Sequence, residues 1–203
     1  MNSEEILSLA KSVVERESAA VAGLLPQLDG SFVKAAEIIF ACQGHILVAG
    51  SGTSHAVALR FAHLLSCCGT PSLFIHPGDC QHGLSGAVTA KDILIVISKG
   101  GSTLEINSLA RIAKQRGALL LCITEKPNSE MASLCDLVLK VISPPHVDMY
   151  GMIATGSSLV NCALADALCI VLATMRNYSA QQFGETHPGG AVGIKVNEEK
   201  GLL

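Results

Sequence analysis

The chain has 203 residues, enough for one domain with a proper core, and 49% of them are hydrophobic against 15% charged. Aromatic residues are scarce (no Trp, two Tyr, five Phe), so packing must rest on aliphatic side chains, Ala and Cys. A formal charge of −3 without any basic run argues against a nucleic-acid partner, and the acidic opening Met1-Asn2-Ser3-Glu4-Glu5 lacks the features of a signal peptide, so the chain is expected in the cytoplasm.

In chain order, Ser3 is placed to cap a first helix whose early acids Glu4 and Glu5 suit the positive end of the helix dipole. Ile6, Leu9, Val13, Val21 and Leu24 fall on one helical face until Pro26 and Gly30 end the segment. Ser31 opens a second helix through Ile38, Ile39 and Cys42, closed by Gly44. From there the pattern alternates, with strands expected at 45–49, 72–76, 92–97, 118–123 and 136–142. Helices are expected at 53–67, 102–116, 129–134 and 156–175. Near-continuous aliphatic strands separated by helices indicate a parallel sheet covered on both faces, an αβα three-layer sandwich. One domain is expected over 1–203: N-terminal helices to 44, an α/β core over 45–175, and a C-terminal segment over 176–203.

The helix near 156–175 is apolar almost all round, because Leu159, Val160, Leu164, Leu168, Ile170, Val171 and Leu172 cannot share one stripe. Part of its cover is expected from a second subunit, giving a homo-oligomer, a dimer or a tetramer. The apolar stretch Leu159–Met175 carries Asn161 and Asp166 and is shorter than the ~20 residues of a membrane span, so no membrane partner is expected. Eight cysteines lie mostly inside aliphatic runs (Cys122, Cys135, Cys162, Cys169) with no C-x-x-C spacing, which reads as buried reduced thiols; Cys67-Cys68 joins them.

Two loops carry the chemistry. Ile46-Leu47-Val48-Ala49 runs into Gly50-Ser51-Gly52-Thr53-Ser54, and Ile93 to Ile97 runs into Ser98-Lys99-Gly100-Gly101-Ser102-Thr103. A strand, a glycine- and hydroxyl-rich loop and a helix start make an anion site, since free N–H groups and the helix dipole both point at negative charge. A dinucleotide reading fails, because His55 stands where the third glycine of G-x-G-x-x-G belongs and no acid closes the next strand at Ile75-His76. In a doubly wound sheet of order 2-1-3-4-5 these loops follow the first and third strands and flank the switch-point crevice. One small phosphorylated ligand held from two sides is the expectation.

Among the histidines, His45 and His63 read as structural. His76, Asp79, Cys80 and His82 match no defined metal spacing, and no metal is expected. His187, in Glu185-Thr186-His187-Pro188-Gly189-Gly190, lies in a turn-forming segment outside any apolar periodicity and is the better acid–base candidate.

Over about Ile6 to Gly193 the chain resembles the sugar isomerase (SIS) domain, most closely the catalytic part of bacterial D-arabinose 5-phosphate isomerases. The resemblance rests on the two loops, Gly69 to Gly78, His82-Gly83, Asp166-Ala167-Leu168 and Phe183 to Gly190. It implies the five-stranded sandwich, with Gly52, Thr53, Ser54, Ser98, Lys99, Gly101, Ser102, Thr103 and His82 at a sugar phosphate. It also implies aldose–ketose isomerisation without a cofactor, with His187 as acid–base group, often reaching a neighbouring subunit's site. Those isomerases usually continue into a pair of CBS domains, and this chain resembles the catalytic part alone. Thr53 stands where they typically have Lys, and Lys99-Gly100-Gly101-Ser102 where they read Asn-Ser-Gly-Glu; Lys99 restores a positive charge from the opposite loop. A further family carboxylate falls near His146 to Asp148, and Asp148 and Glu105 are the supporting candidates. The missing loop carboxylate motivates a non-catalytic sugar-phosphate sensor as the alternative, with lyase or etherase chemistry on an amino-sugar phosphate as a third reading.

Overall fold

The structure, a computed structural model, describes residues 1–144, 147–148, 150–188 and 190–199. Five parallel strands form one sheet of order β2-β1-β3-β4-β5: β1 Ile46–Gly50, β2 Ser72–Phe74, β3 Ile93–Ile97, β4 Leu119–Thr124 and β5 Leu137–Lys140. The helices are α1 Ser3–Ala22, α2 Gly30–Phe40, α3 Thr53–Cys67, α4 Pro77–Cys80, α5 Leu104–Gln115, α6 Glu130–Leu134, α7 Thr155–Met175, α8 Ala180–Thr186 and α9 Ala191–Glu199. The order is the doubly wound one expected, and the strand and helix centres agree with the sequence pattern.

The aliphatic strands are buried on both faces, as a parallel sheet requires. In β3, Ile93, Ile95 and Ile97 face one core, which α1, α2, α3 and α7 complete around Phe61, Leu65, Leu164 and Leu168. Leu94 and Val96 face the other, packed with Ile106 and Leu109 of α5 and Met131 of α6. Alternate residues of one strand thus feed two cores, a direct result of the period-2 side-chain geometry.

Several boundaries differ from expectation. Asn2, not Ser3, caps α1, in a capping box with Glu5. Asp29 caps α2 by accepting the Ser31 N–H at 2.8 Å, and that helix closes at Phe40, not Gly44. Gly44 instead lets the chain pass against the Lys91 backbone, where an added Cβ would lie 2.6 Å from the carbonyl oxygen. The expected apolar face of α1 holds only in its second half: Ala20 and Leu24, just beyond its end, are buried, while Ile6 and Leu9 are exposed.

The last long helix corrects another expectation. At 21 residues and a mean hydropathy of 1.9, α7 is long and apolar enough to cross a membrane, the one such helix among the described residues. Its Val160, Leu164, Leu168 and Leu172 are nonetheless built into the core against the sheet and α3. Arg60 of α3 and Asp166 of α7 add a two-pronged ion pair at 2.6 and 3.0 Å. All eight cysteines are free, but only Cys80, Cys122 and Cys169 are fully buried; the other five are half-buried.

Candidate functional site

Gly50 and Ile97 are parallel partners, so the loops after β1 and β3 leave the sheet side by side, on strands about 4.8 Å apart. Gly52 begins the first helix start with φ +60°, and a side chain would strain that turn. Thr53 and Ser54 follow in the first turn of α3, and among the described residues their hydroxyls bond no protein group.

The second loop is more tightly built. Ser98 is buried, with its hydroxyl 3.3 Å from that of Thr103 and accepting the Gly101 N–H at 3.2 Å. Gly101, at φ +64°, packs where any Cβ would enter Ser129, and its carbonyl accepts the Met131 N–H at 3.1 Å. Ser102 is exposed at the turn, and Glu105 is exposed in the first turn of α5, where an acid suits the helix dipole.

The capping pattern sets these loops apart. Helices α1, α2, α4, α6 and α8 each have a side chain accepting at their N-terminus. Helices α3, α5 and α7 have none. All three begin at the carboxyl end of the sheet. The His55 N–H of α3 and the Thr155 N–H of α7 bond the Gly52 and Ile153 carbonyls (3.0 and 2.8 Å), while the leading N–H groups of α3 and α5 have no side-chain acceptor among the described residues and face the crevice.

On the β4–β5 side, the Lys99 carbonyl accepts the Thr124 hydroxyl and the Glu125 N–H, each at 3.1 Å. The Lys99 Nζ lies 3.6 Å from Glu125 Oε1, which also accepts the Ser143 N–H at 3.3 Å. Lys99, Glu125, Ser143, Ser157 and Asn161 line an enclosed pocket of about 10 Å³, room for roughly one water. Asp148 lines an adjoining pocket with Lys99 and Ser157. Its Oδ1 accepts the Tyr150 N–H at 2.7 Å and the Met152 N–H at 3.3 Å. Burial pushes the Asp148 carboxyl up, but these backbone bonds outweigh it and hold it below the usual carboxylate range. His146 lies outside the described residues.

On the β2 side, His76 caps α4 by accepting the Asp79 N–H on Nδ1 at 3.3 Å. The His55 ring sits against Phe74 (4.4 Å between centroids) and edge-on to His76 (5.6 Å). His82 is exposed beyond α4. Burial first, then the charge of Asp79, pushes the Cys80 thiol up to about 11. Among the described residues no three His, Cys, Asp or Glu side chains gather as a metal site.

His187 is not in a simple turn. Phe183 to Thr186 belong to α8, and His187 is that helix's C-cap. Its ring stacks on Phe183 (3.8 Å, 8°), and Nδ1 lies 2.8 Å from the Phe183 carbonyl. A carbonyl only accepts, so Nδ1 donates to it, with the Thr186 hydroxyl also 3.0 Å from Nδ1, and Nε2 has no partner among the described residues. Over its 21 residues α7 carries the chain about 30 Å away from the loops. It ends at Arg176, which donates to Thr70 Oγ1 (3.0 Å) and the Ile39 carbonyl (3.3 Å) at the opposite end of the sheet. The structure therefore brings together Gly52, Thr53, Ser54, Ser98, Lys99, Gly101, Ser102, Thr103, Glu105 and Asp148 at one end, and no described contact brings His187 of the same chain to them. Sequence reasoning missed Glu125 and His55. For Glu125 the available signal was its place directly after β4, where side chains look into the crevice.

An open parallel sheet with uncapped helix starts and hydroxyl loops at its switch point defines a doubly wound α/β domain of the ligand-at-the-carboxyl-end class. The chain belongs to the SIS domain family, which it matches over residues 39–171. It is similar to the arabinose 5-phosphate isomerase KdsD of Escherichia coli K12, at 36% identity over 186 residues, 92% of this chain and 57% of that protein. The protein of that name from Pseudomonas aeruginosa is 34% identical over 192 residues, 95% of this chain and 59% of its own length. The chain thus spans less than two thirds of these curated relatives. Among solved structures, a candidate sugar-phosphate isomerase from Listeria monocytogenes superposes with a TM-score of 0.90 at 36% identity, over 93% of this chain and 100% of that one. An E. coli CFT073 protein, solved in complex with a sugar phosphate, superposes with a TM-score of 0.89 at 29% identity, over 93% and 100%.

Proposed function

We propose that this chain is a sugar-phosphate isomerase, interconverting an aldose phosphate and a ketose phosphate in the cytoplasm. The observation that carries the reading is the Ser98–Thr103 hydroxyl pair at the uncapped start of α5, beside the equally uncapped start of α3. Together they offer short donors, free N–H groups and two dipoles to one phosphate. The names of isomerases similar to this chain, and the sugar phosphate bound in a solved relative, support this reading of the sugar class and the reaction.

In this reading Gly52, Thr53, Ser54, Ser98, Lys99, Gly101, Ser102 and Thr103 hold the phosphate, and His82 faces the sugar. Isomerisation moves a proton between C1 and C2 through an enediolate, so one carbon is reduced as its neighbour is oxidised and the net reaction needs no redox cofactor. His187 is the acid–base group, a role supported by its Nδ1 contact to the Phe183 carbonyl, which leaves Nε2 to face a substrate. Asp148 or Glu105 serves as supporting carboxylate. Since α7 leads His187 away from its own loops, the histidine acts in a neighbouring subunit's crevice, and the working form is a homo-oligomer, dimer or tetramer.

A second reading, a sugar-phosphate sensor, draws on Ser102: the second loop offers an exposed hydroxyl there and no carboxylate. One experiment separates them. Incubation with a panel of pentose and hexose phosphates in deuterated water puts deuterium at C1 or C2 of the correct sugar if the chain is an isomerase. Binding without exchange identifies the sensor.

A further inference from the structure

Glu125 is a half-buried carboxylate that none of the roles above absorbs. Its side chain is 18% exposed, and its Oε1 stands between the Lys99 ammonium (3.6 Å) and the Ser143 N–H (3.3 Å). The backbone of Lys99 is fixed to the end of β4 by two bonds to its carbonyl, so only its side chain is free to swing. That side chain is 50% exposed. At 3.6 Å the pair is an ion pair but not a good hydrogen bond, which leaves the ammonium donors available to another acceptor. Lys99 directly follows Ser98, so a phosphate on the Ser98–Thr103 hydroxyls would lie within reach of the same ammonium. Two anions then compete for one cation.

We propose that Glu125 is a positioning residue that holds Lys99 against the β4–β5 side of the crevice and thereby sets how tightly the phosphate group is gripped. Phosphate binding draws the ammonium from carboxylate to phosphate, and release returns it. The neighbouring Asp148 is already engaged by the Tyr150 and Met152 N–H groups, which leaves Glu125 as the competing anion. The proposal rests on the reading of the two loops as a phosphate site.

The test is calorimetric titration of the whole chain with inorganic phosphate, in wild type, E125Q, K99M and the double variant. The amide keeps an oxygen for the Ser143 N–H while removing the charge. E125Q should tighten phosphate binding by roughly threefold to tenfold, the range for a partly exposed ion pair. K99M should weaken it, and E125Q should have no effect in the K99M background. If E125Q does not fold, Glu125→Asp, which draws the carboxylate back by one methylene, should tighten binding in the same direction by less. Unchanged or weaker binding in a folded E125Q, or equal tightening without Lys99, overturns the proposal and leaves the phosphate site standing. Failure of the wild type to bind phosphate overturns both, and so identifies the loop reading as the fault.

Discussion

The hydroxyls of Ser98 and Thr103 stand 3.3 Å apart at the turn that opens α5, and no side chain caps that helix. Each hydroxyl can donate to a phosphate oxygen while the α5 N–H groups address the others. Replacing either by Ala should weaken sugar-phosphate binding by roughly 1.5–3 kcal/mol, the worth of one charge-assisted hydrogen bond. Binding of the unphosphorylated sugar should change little. Calorimetry with both ligands checks this, and equal weakening for the two would refute the phosphate role.

At the other end of β3 a carboxylate has a purely structural task. Asp92 is buried and accepts the His45 N–H at 2.7 Å, the Thr89 N–H at 2.7 Å and the Thr89 hydroxyl at 2.8 Å. Burial pushes its pKa up, but these bonds prevail and leave it below the usual range. A depressed carboxylate contributes stability that is present above its unfolded pKa, near 3.9, and is lost as pH falls through the folded value. Asp92→Asn should cost roughly 2 kcal/mol at neutral pH, because an amide N–H₂ then faces N–H and O–H donors. The difference between the proteins should shrink below about pH 4, as urea midpoints measured against pH would show.

How much of the fold and site is legible in the sequence differs by element. The strands and the helix starts at Thr53 and near Leu104 are readable because each aliphatic run is bounded by glycine and hydroxyl residues. The caps of α1 and α2 fall one and two residues earlier than the sequence suggests, because Asn2 and Asp29 outcompete the nearby serines for the same N–H groups. For Glu125 the sequence offers its place directly after β4, but not its pairing with Lys99, which comes from the juxtaposition of β3 and β4 and which no local motif encodes. The position of His187 is hidden for a similar reason: periodicity marks a helix of 21 residues without saying to which end of the sheet it delivers the next segment.

The uncovered apolar faces bear on assembly. Ile170 on α7 is 64% exposed and Val14 on α1 equally so, with Ile6, Leu7 and Leu9 also uncovered. These residues lie on two helices that pack against one another, and a second copy would cover such uncovered apolar faces. Light scattering at micromolar concentration should give a dimer or tetramer, and Ile170→Glu should shift it toward the monomer. A clean wild-type monomer would also remove the route by which His187 reaches a crevice.

Turnover is expected to depend on that histidine. Its Nδ1 is held by the Phe183 carbonyl and its ring by the Phe183 face, so Nε2 is presented in one orientation. An imidazole can take a proton from one carbon and return it to its neighbour during isomerisation. His187→Asn should therefore lower turnover by roughly 10²-fold or more while substrate affinity holds within a few-fold, because the phosphate loops are untouched. Were the ring only a C-cap for α8, the same variant would keep its turnover and lose thermal stability. Mixing this variant with an inactive Ser98→Ala, Thr103→Ala chain sharpens the test. Subunits that exchange histidines should regain activity in the mixed oligomer, since some crevices then combine intact loops with an intact His187, and no recovery would place the histidine's action within its own chain.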